Sequence, residues 1–386
     1  MIKSYKIKLH PTKEQEQKLW QSAGTARWAY NWTLGKQKES YANGGKFIQD
    51  GGLRKELTQL KKTEEFAWLN DVSNDIPKQA IKDACLAYKR FFSKQTGFPK
   101  FKSRRKSKPS FYQDNFKIQI TEKSVFLSKI GHVKLAEKGV LPIGKGKSKE
   151  ISMVNLRASN DGLNWYLTVG IEVKDPILNK PVTEPIGIDV GVKELAVIST
   201  GEVFKNINKT KEVRRLAKKL KRLQRQASRQ YEKFKKKEGE LRYEKTSNLL
   251  KLEREIRLIH KRLNDIRTNH LHQTTSKLVK ANPEYIVIED LNVSGMMKNK
   301  HLSRAVQEQK LYEFRRQIEY KCEWYGVRLI IADRFYPSSK TCSQCGQVKK
   351  DLKLSDRTYH CDCGLNIDRD LNASINLREY GRKLAS

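Results

Sequence analysis

What this 386-residue sequence has least of is negative charge: 43 Asp and Glu stand against 79 Lys and Arg, a formal charge of +36. An excess of that size, spread along most of the chain, needs an anionic partner, and a long polyanion fits it better than a small acidic substrate or an anionic membrane patch. Nucleic acid is the expected partner. Long apolar runs are missing too. No stretch approaches the ~20 residues of a membrane span, and Met1-Ile2-Lys3-Ser4-Tyr5-Lys6 leads into no signal-peptide apolar region. No membrane partner is expected, and the protein is expected in the cytoplasm. Six cysteines are too few for a disulfide scaffold, and four of them crowd between Cys342 and Cys363, which in a reducing compartment points to metal. A hydrophobic content of 37% still allows real cores, and the length suggests two or three domains of about 150 residues.

Along the chain, Ser4 to Leu9 reads as a strand, and Pro11 with Thr12 opens a helical stretch containing Trp20, Trp28, Tyr30 and Trp32. Helical patterning continues through Leu53 to Leu60 and Ile76 to Phe92. There Ala80, Ala84, Leu86, Ala87 and Phe91 set out an apolar face beside Lys78, Lys82, Lys89 and Arg90. Gly97 and Pro99 break the pattern, giving a loop to Pro109 in which Phe98 and Phe101 alternate with Lys100, Lys102, Arg104 and Arg105. Rings for stacking and cations for phosphates suit nucleic-acid contact; the plainer reading is a solvated charge run.

Short alternating runs, Phe116 to Ile120 and Trp165 to Val173, follow, separated by turns at Gly131, Gly144 and Asn160-Asp161-Gly162. Several antiparallel strands should form a small barrel or sandwich. The Ser4 strand is expected to join them, which makes the helices an insertion. Asp175-Pro176 and Pro181 to Pro185 read as a linker, with a new domain from Ile186. Lys211 to Lys237 and Leu249 to Ile266 read as a helical hairpin whose seam is Leu252, Ile256, Ile259, Leu263 and Ile266 facing Leu216, Leu220 and Leu223. Its first helix carries Arg214, Arg215, Lys218, Lys219, Lys221, Arg222 and Arg225, a solvated face or a phosphate-binding one.

Three acids occupy positions where acids are unusual. In the β-rich run Ile186 to Ile198, period two puts Gly187, Asp189 and Gly191 on one face, so bare backbone on both sides would let a metal and a phosphate approach Asp189. Tyr285 to Glu289 is a continuous apolar run, a buried strand that delivers Glu289 and Asp290 at its carboxyl end. In Asp368-Arg369-Asp370, Asp368 is a plausible N-cap, which leaves Asp370 for chemistry unless both serve only the helix start. Together the three could converge on two Mg²⁺ or Mn²⁺ ions, which prefer oxygen ligands and stabilise both oxygens of a phosphodiester displacement.

Cys342-Ser-Gln-Cys345-Gly346 and Cys361-Asp-Cys363-Gly364 are thiol pairs on glycine turns, the makings of one tetrahedral Zn²⁺ site. The second pair is C-x-C, and His360 with Cys363 would restore the wider spacing at the loss of one sulfur; four sulfurs are the preferred set. Cys85 and Cys322 fall in helical patterns and read as core residues, His270 and His272 as core or surface.

In motif order the sequence resembles the TnpB family of insertion-sequence proteins, relatives of type V CRISPR effectors. The carriers are Gly187-Ile-Asp-Val-Gly-Val-Lys193, Ile288-Glu-Asp-Leu-Asn292, Ser338-Ser-Lys-Thr-Cys-Ser-Gln-Cys-Gly346, Asp368-Arg-Asp-Leu-Asn-Ala373, Phe98-Pro-Lys-Phe-Lys102 and Leu9-His-Pro-Thr12. The resemblance implies a multidomain α+β protein: a helical recognition lobe (11–109) inserted in a small β-barrel wedge (1–10 and 110–180). An RNase H-like, RuvC-type α/β nuclease domain follows (181–335 and 365–386), with a helical hairpin near 206–280 and an inserted zinc ribbon that binds target nucleic acid (336–364). It implies an RNA-guided DNA endonuclease, with a guide RNA from the transposon end and a double-stranded target beside a short adjacent motif, in a prokaryotic cytoplasm and on the nucleoid when bound to DNA. By position the catalytic acids become Asp189, Glu289 and Asp370, and Lys78, Gln79 and Lys82 become candidates for the target-adjacent duplex. A guide-independent transposition nuclease and a nuclease-dead nucleic-acid-binding regulator are the alternatives, the second disfavoured by the intact acid set.

Overall fold

The computed structural model describes residues 1–114, 116, 118–141, 153–175, 181–235, 245–353 and 356–385. The expected turn at Gly144, the linker residues from Pro176 to Lys180 and the last two residues of the expected helix to Lys237 lie outside them. The chain divides into two compact units, Met1–Lys174 and Asp175–Ser386. Among the described residues no helix is long and apolar enough to cross a membrane.

The first unit runs β1 (Ile2–His10), α1 (Lys13–Ala42), α2 (Asp50–Leu60), α3 (Asp75–Phe92), β2 (Ser110–Tyr112), β3 (Gln119–Ile120), β4 (Ser124–Leu127), β5 (Gly131–Leu135), β6 (Met153–Asn160) and β7 (Trp165–Glu172). Thr12 starts α1 with a reciprocal cap: its hydroxyl accepts from Gln15 N at 3.2 Å while Gln15 Oε1 accepts from Thr12 N at 3.1 Å. The seven strands form one sheet in the order β2-β6-β7-β1-β5-β4-β3. As the sequence suggests, β1 joins the later strands across the helices: Tyr5 pairs with Val169 and Leu9 with Leu135. Leu19, Ala23, Ala26, Tyr30 and Leu34 of α1 bury themselves against Ile7, Leu9, Leu167 and Val169 of the sheet.

On α3 the buried set is Ile76, Pro77, Ala80, Ile81, Ala84, Cys85 and Tyr88. Leu86, expected on the apolar face, is 43% exposed. The helix turns 100° per residue, so the stripe through 77, 81, 84 and 88 leaves position 86 on the far side. Phe116, expected to begin a strand, is exposed, and pairing begins at Gln119.

The second unit is built on β8 (Ile186–Val190), β9 (Ala196–Ile198), β10 (Val203–Phe204), α4 (Lys211–Lys235), α5 (Ser247–Lys280), β11 (Tyr285–Glu289), α6 (Val293–Lys298), α7 (Ser303–Gln309), α8 (Leu311–Tyr325), β12 (Arg328–Ala332), β13 (Thr358–His360), β14 (Asn366–Asp368) and α9 (Arg369–Ala385). Its five-stranded sheet has the order β10-β9-β8-β11-β12, with β8, β11 and β12 parallel. Both faces of the parallel part are covered. Ile186, Ile188, Ile286 and Ile288 pack on Leu271 and Leu278 of α5 and Phe314 and Ile318 of α8. Tyr285 and Val287 point the other way, onto Leu377 of α9. The α4–α5 hairpin has the expected seam, with Leu223, Ile259 and Leu263 buried and Leu216, Leu220, Leu252, Ile256 and Ile266 beside them.

Candidate active site and metal centre

Strand register brings the first two acids together. Ile188 pairs with Ile288 across parallel β8 and β11, so Asp189 and Glu289, each one residue further, leave neighbouring strands on the same face at their carboxyl ends. The third acid comes with α9, which lies on that face. A Cβ at Gly187 would stand 2.0 Å from Ser374 O and 2.5 Å from Arg378 N; one at Gly381 would meet the Tyr285 ring at 2.5 Å. These two glycines let helix and sheet backbones touch, and the contact carries the first turn of α9, with Asp370, to the end of β8. The sequence reading of Gly187 as open space for a ligand is therefore overturned, because helix backbone fills that space. Gly191 keeps more room, its nearest neighbour being Glu194 O at 3.4 Å.

Electrostatics link the three segments. Burial, then the nearby charges of Glu289 and Asp370, push the Asp189 carboxyl well above its ordinary range, and the Arg369 guanidinium only partly offsets them. Burial also raises Glu289, while a hydrogen bond from the Ser338 hydroxyl pulls the other way. Asp368 caps α9, accepting from Asp370 N at 2.9 Å and Leu371 N at 3.1 Å, so Asp370 keeps its carboxylate for other partners. Arg369 Nη2 lies 3.3 Å from Asp370 Oδ1. The oxygens of the three acids do not all lie within 4.8 Å of one another. Asp189 and Glu289, buried carboxylates with raised proton affinity, are donors of the kind that divalent cations neutralise.

Around this set stand residues that sequence reasoning passed over. Ser338 Oγ donates to Glu289 Oε1, and Asp290 is clamped by Arg315 and Arg334, which hold its carboxyl below the usual range. Ser338 stands in the quoted cysteine motif, the one signal that could have singled it out.

The four cysteines form the second cluster. Their sulfurs all lie within 4.8 Å, with Cys342 to Cys363 and Cys345 to Cys361 each at 3.6 Å. A tetrahedral ion about 2.3 Å from each sulfur needs separations of about 3.7 Å, so the donors fit zinc as they stand. Positive φ at Gly346 (78°) and Gly364 (92°) closes both knuckles, and Gly364 N donates to Cys361 O at 2.9 Å. The C-x-C pair thus supplies two sulfurs, and His360, exposed at the end of β13, is outside the cluster. N–H groups of Cys345 and Gln344 lower the Cys342 thiol to about 7 against the effect of burial.

In the first unit Lys78, Lys82, Lys100, Phe101, Arg104 and Arg105 are exposed. Gln79 donates to Asp83 Oδ1 at 2.8 Å, and Asp83 pairs with Arg157 at 2.8 Å. Lys102 sets its ammonium 3.7 Å from the Tyr30 ring centroid, and burial lowers its pKa. Lys38 lies 5.0 Å from the Phe101 ring.

Three family profiles match: a helix-turn-helix domain over residues 1–46, a probable transposase over 168–300 and a Cas12f1-like TNB domain over 312–377. Residues 2–42 fold here as one strand and one 30-residue helix. A Streptomyces pristinaespiralis protein provisionally named an RNA-guided DNA endonuclease is 34% identical over 98% of this chain and 89% of its own. Escherichia coli (strain K12) InsQ, with the same provisional name, is 31% identical over 98% and 92%. Among solved structures, a Cas12f1–sgRNA–target DNA complex has the same fold, with a TM-score of 0.57, 14% identity and 98% coverage of both chains.

Proposed function

The chain belongs to the TnpB family of insertion-sequence proteins, and on that footing we propose that it is an RNA-guided DNA endonuclease, cutting a guide-matched target beside a short adjacent motif. In this reading Asp189, Glu289 and Asp370 hold two Mg²⁺ or Mn²⁺ ions, and Cys342, Cys345, Cys361 and Cys363 hold one structural Zn²⁺. The supporting observation is geometric: β8–β11 register sets Asp189 beside Glu289 and the α9 contact at Gly187 brings Asp370 to the same strand end, while burial first, and then the charges of Glu289 and Asp370, raise the Asp189 pKa. Bound divalent ions would supply an activated water and stabilise the leaving oxygen. The chain's own part is to fix the carboxylates: sheet register sets Asp189 beside Glu289, α9 delivers Asp370, and Ser338 occupies one oxygen of Glu289.

The partners are a guide RNA from the transposon end and double-stranded DNA, which together account for the +36 charge. The helices of 11–109 serve as recognition lobe in a wedge made by 1–10 and 110–180, the nuclease domain is 181–335 with 365–386, and 336–364 is the zinc insert. Exposed Lys78, Lys82, Lys100, Phe101, Arg104 and Arg105 offer phosphate and base contacts. Gln79, whose amide is given to Asp83, keeps its carbonyl for a base edge, and Lys102 backs the loop from Tyr30.

The test is cleavage of matched DNA by protein purified with co-expressed flanking RNA. Asp189→Ala and Glu289→Ala should each abolish cutting and retain RNA binding. Undiminished cutting by either variant removes the assigned site, and equal cutting without the RNA replaces the guided reading with the guide-independent one.

A further inference from the structure

Between β12 and Cys342 the chain touches the acid cluster twice. Arg334 holds Asp290 through a carboxylate contact and a 3.4 Å hydrogen bond to its carbonyl, and Ser338 then donates to Glu289. The segment is thus fastened at both ends to consecutive acids of one strand end. Inside it, Tyr336 turns inward, its ring 4.7 Å from that of Tyr380 and its hydroxyl 3.2 Å from Asn376 O. Asp333 closes the turn, accepting from Phe335 N at 2.8 Å on its side chain and from Tyr336 N at 3.1 Å on its carbonyl. The one large ring this arrangement turns outward is Phe335, which is 87% exposed. At 3.3–3.6 Å per residue, its Cα is within about 11 Å of that of Ser338.

An exposed aromatic ring on a turn pinned at both ends is a rigid platform, and every nucleic-acid base offers a face to such a ring. Tyr312, 67% exposed, adds a second ring three residues before Arg315, on the side of α8 from which Arg315 reaches Asp290. We propose that Phe335 stacks on an unpaired nucleotide of the DNA strand being cut and holds it beside Glu289. This rests on the endonuclease reading and deepens it: a base inside a duplex has both faces covered, so Phe335 selects a strand already opened.

The experiment uses the full chain with its RNA and a matched DNA strand carrying 2-aminopurine at one position at a time, with Ca²⁺ in place of Mg²⁺ so that binding is read without cutting. The wild type should quench the fluorescence at one or two adjacent positions. Phe335→Ala should remove that quench and weaken binding of the strand about tenfold, within the range for loss of one base–aromatic stack. Phe335→Trp should restore both, and a merely structural role would gain nothing from tryptophan. No position-specific quench in the wild type, or a quench and affinity unchanged in Phe335→Ala, overturns the stacking; guided cutting in Mg²⁺ then leaves the endonuclease reading standing. A quench that depends on Phe335 in a protein that cuts no matched DNA keeps the stacking and sinks the endonuclease reading instead.

Discussion

Asp189 is the residue whose ionisation costs the fold most visibly. Its folded pKa is raised well above 3.8 by burial and by two neighbouring carboxylates, so the folded chain binds this proton more tightly than the unfolded chain does. By linkage, stability without metal falls as pH rises from about 4 through the folded pKa, and the loss is complete above it. Asp189→Asn removes a charge that must otherwise be buried. We expect the metal-free variant at neutral pH to melt higher than wild type, by about 2–4 °C for each kcal/mol relieved, and to lose the extra stabilisation that Mg²⁺ gives wild type. Differential scanning calorimetry with EDTA and with Mg²⁺ reads both, and a variant that melts lower without metal would show that the carboxylate is not strained. The strand positions of Asp189 and Glu289 could be read from the sequence, because both depend on local patterns, period two in one case and an apolar run ending in acid in the other. Local pattern gave Asp370 only as an acid at a helix start, and motif order put it in the acid set; its approach to Asp189 depends on helix packing that no local pattern records. Ser338 was marked only by its place in the quoted cysteine motif, since a small hydroxyl gains meaning only from the carboxylate it meets.

At the scale of elements, α9 joins the two clusters. Asn372 and Asn376, one turn apart, take the chain before the cysteines by its carbonyls: Asn372 Nδ2 to Thr341 O at 2.7 Å, and Asn376 Nδ2 to Ser338 O at 2.7 Å and Thr341 O at 2.6 Å. Ser343 N donates back to Asn372 Oδ1 at 3.0 Å. The cysteine knuckle therefore steadies the residue that holds Glu289. Cys342→Ser with Cys345→Ser should release zinc, lower the melting temperature and weaken the stabilisation by Mg²⁺. Ser338→Ala should weaken only the last of these, with zinc retained by mass spectrometry; a full Mg²⁺ response in both variants would separate the two centres. Gly187→Ala tests the packing itself. Its methyl would meet backbone at 2.0 and 2.5 Å, which no rotamer relieves, so a loss of about 1–3 kcal/mol or more is expected, with α9 and Asp370 displaced. The sequence pattern ended the second hairpin helix at Ile266, whereas α5 continues to Lys280. Beyond Ile266 its buried face mixes Leu271 and Leu278 with Thr274 and Thr275, and the Thr275 hydroxyl donates to Gln317 at 3.0 Å and accepts from Lys321 at 2.6 Å. A buried face satisfied by hydrogen bonds looks polar to a periodicity argument.

For the whole molecule the question is where an excess of 36 positive charges is used. On α4, Lys219 pairs with Glu255 at 2.6 Å, but among the described residues Arg214, Arg215, Lys218, Lys221, Arg222 and Arg225 are exposed and have no acidic partner. Lys218 and Lys221 line a groove with Arg267, Arg304, Lys310 and Glu308; Glu308 pairs with Arg267 at 3.4 Å and Arg304 at 3.1 Å, so the lysines are its exposed cations from α4. A solvated face and a phosphate-binding face look alike in a static structure but differ in salt dependence. Each phosphate neutralised contributes about −0.9 to the slope of log K against log salt for a duplex and about −0.7 for a single strand. Lys218→Gln with Lys221→Gln should therefore flatten the slope for nucleic-acid binding by about 1.4–1.8 if both contact phosphates. Zinc content and melting temperature should stay as in wild type, because neither side chain is buried. Parallel slopes for the variant and wild type would assign this face to solvent and move the polyanion to other cations of the chain. A flatter slope would make the α4 groove part of the path that carries nucleic acid.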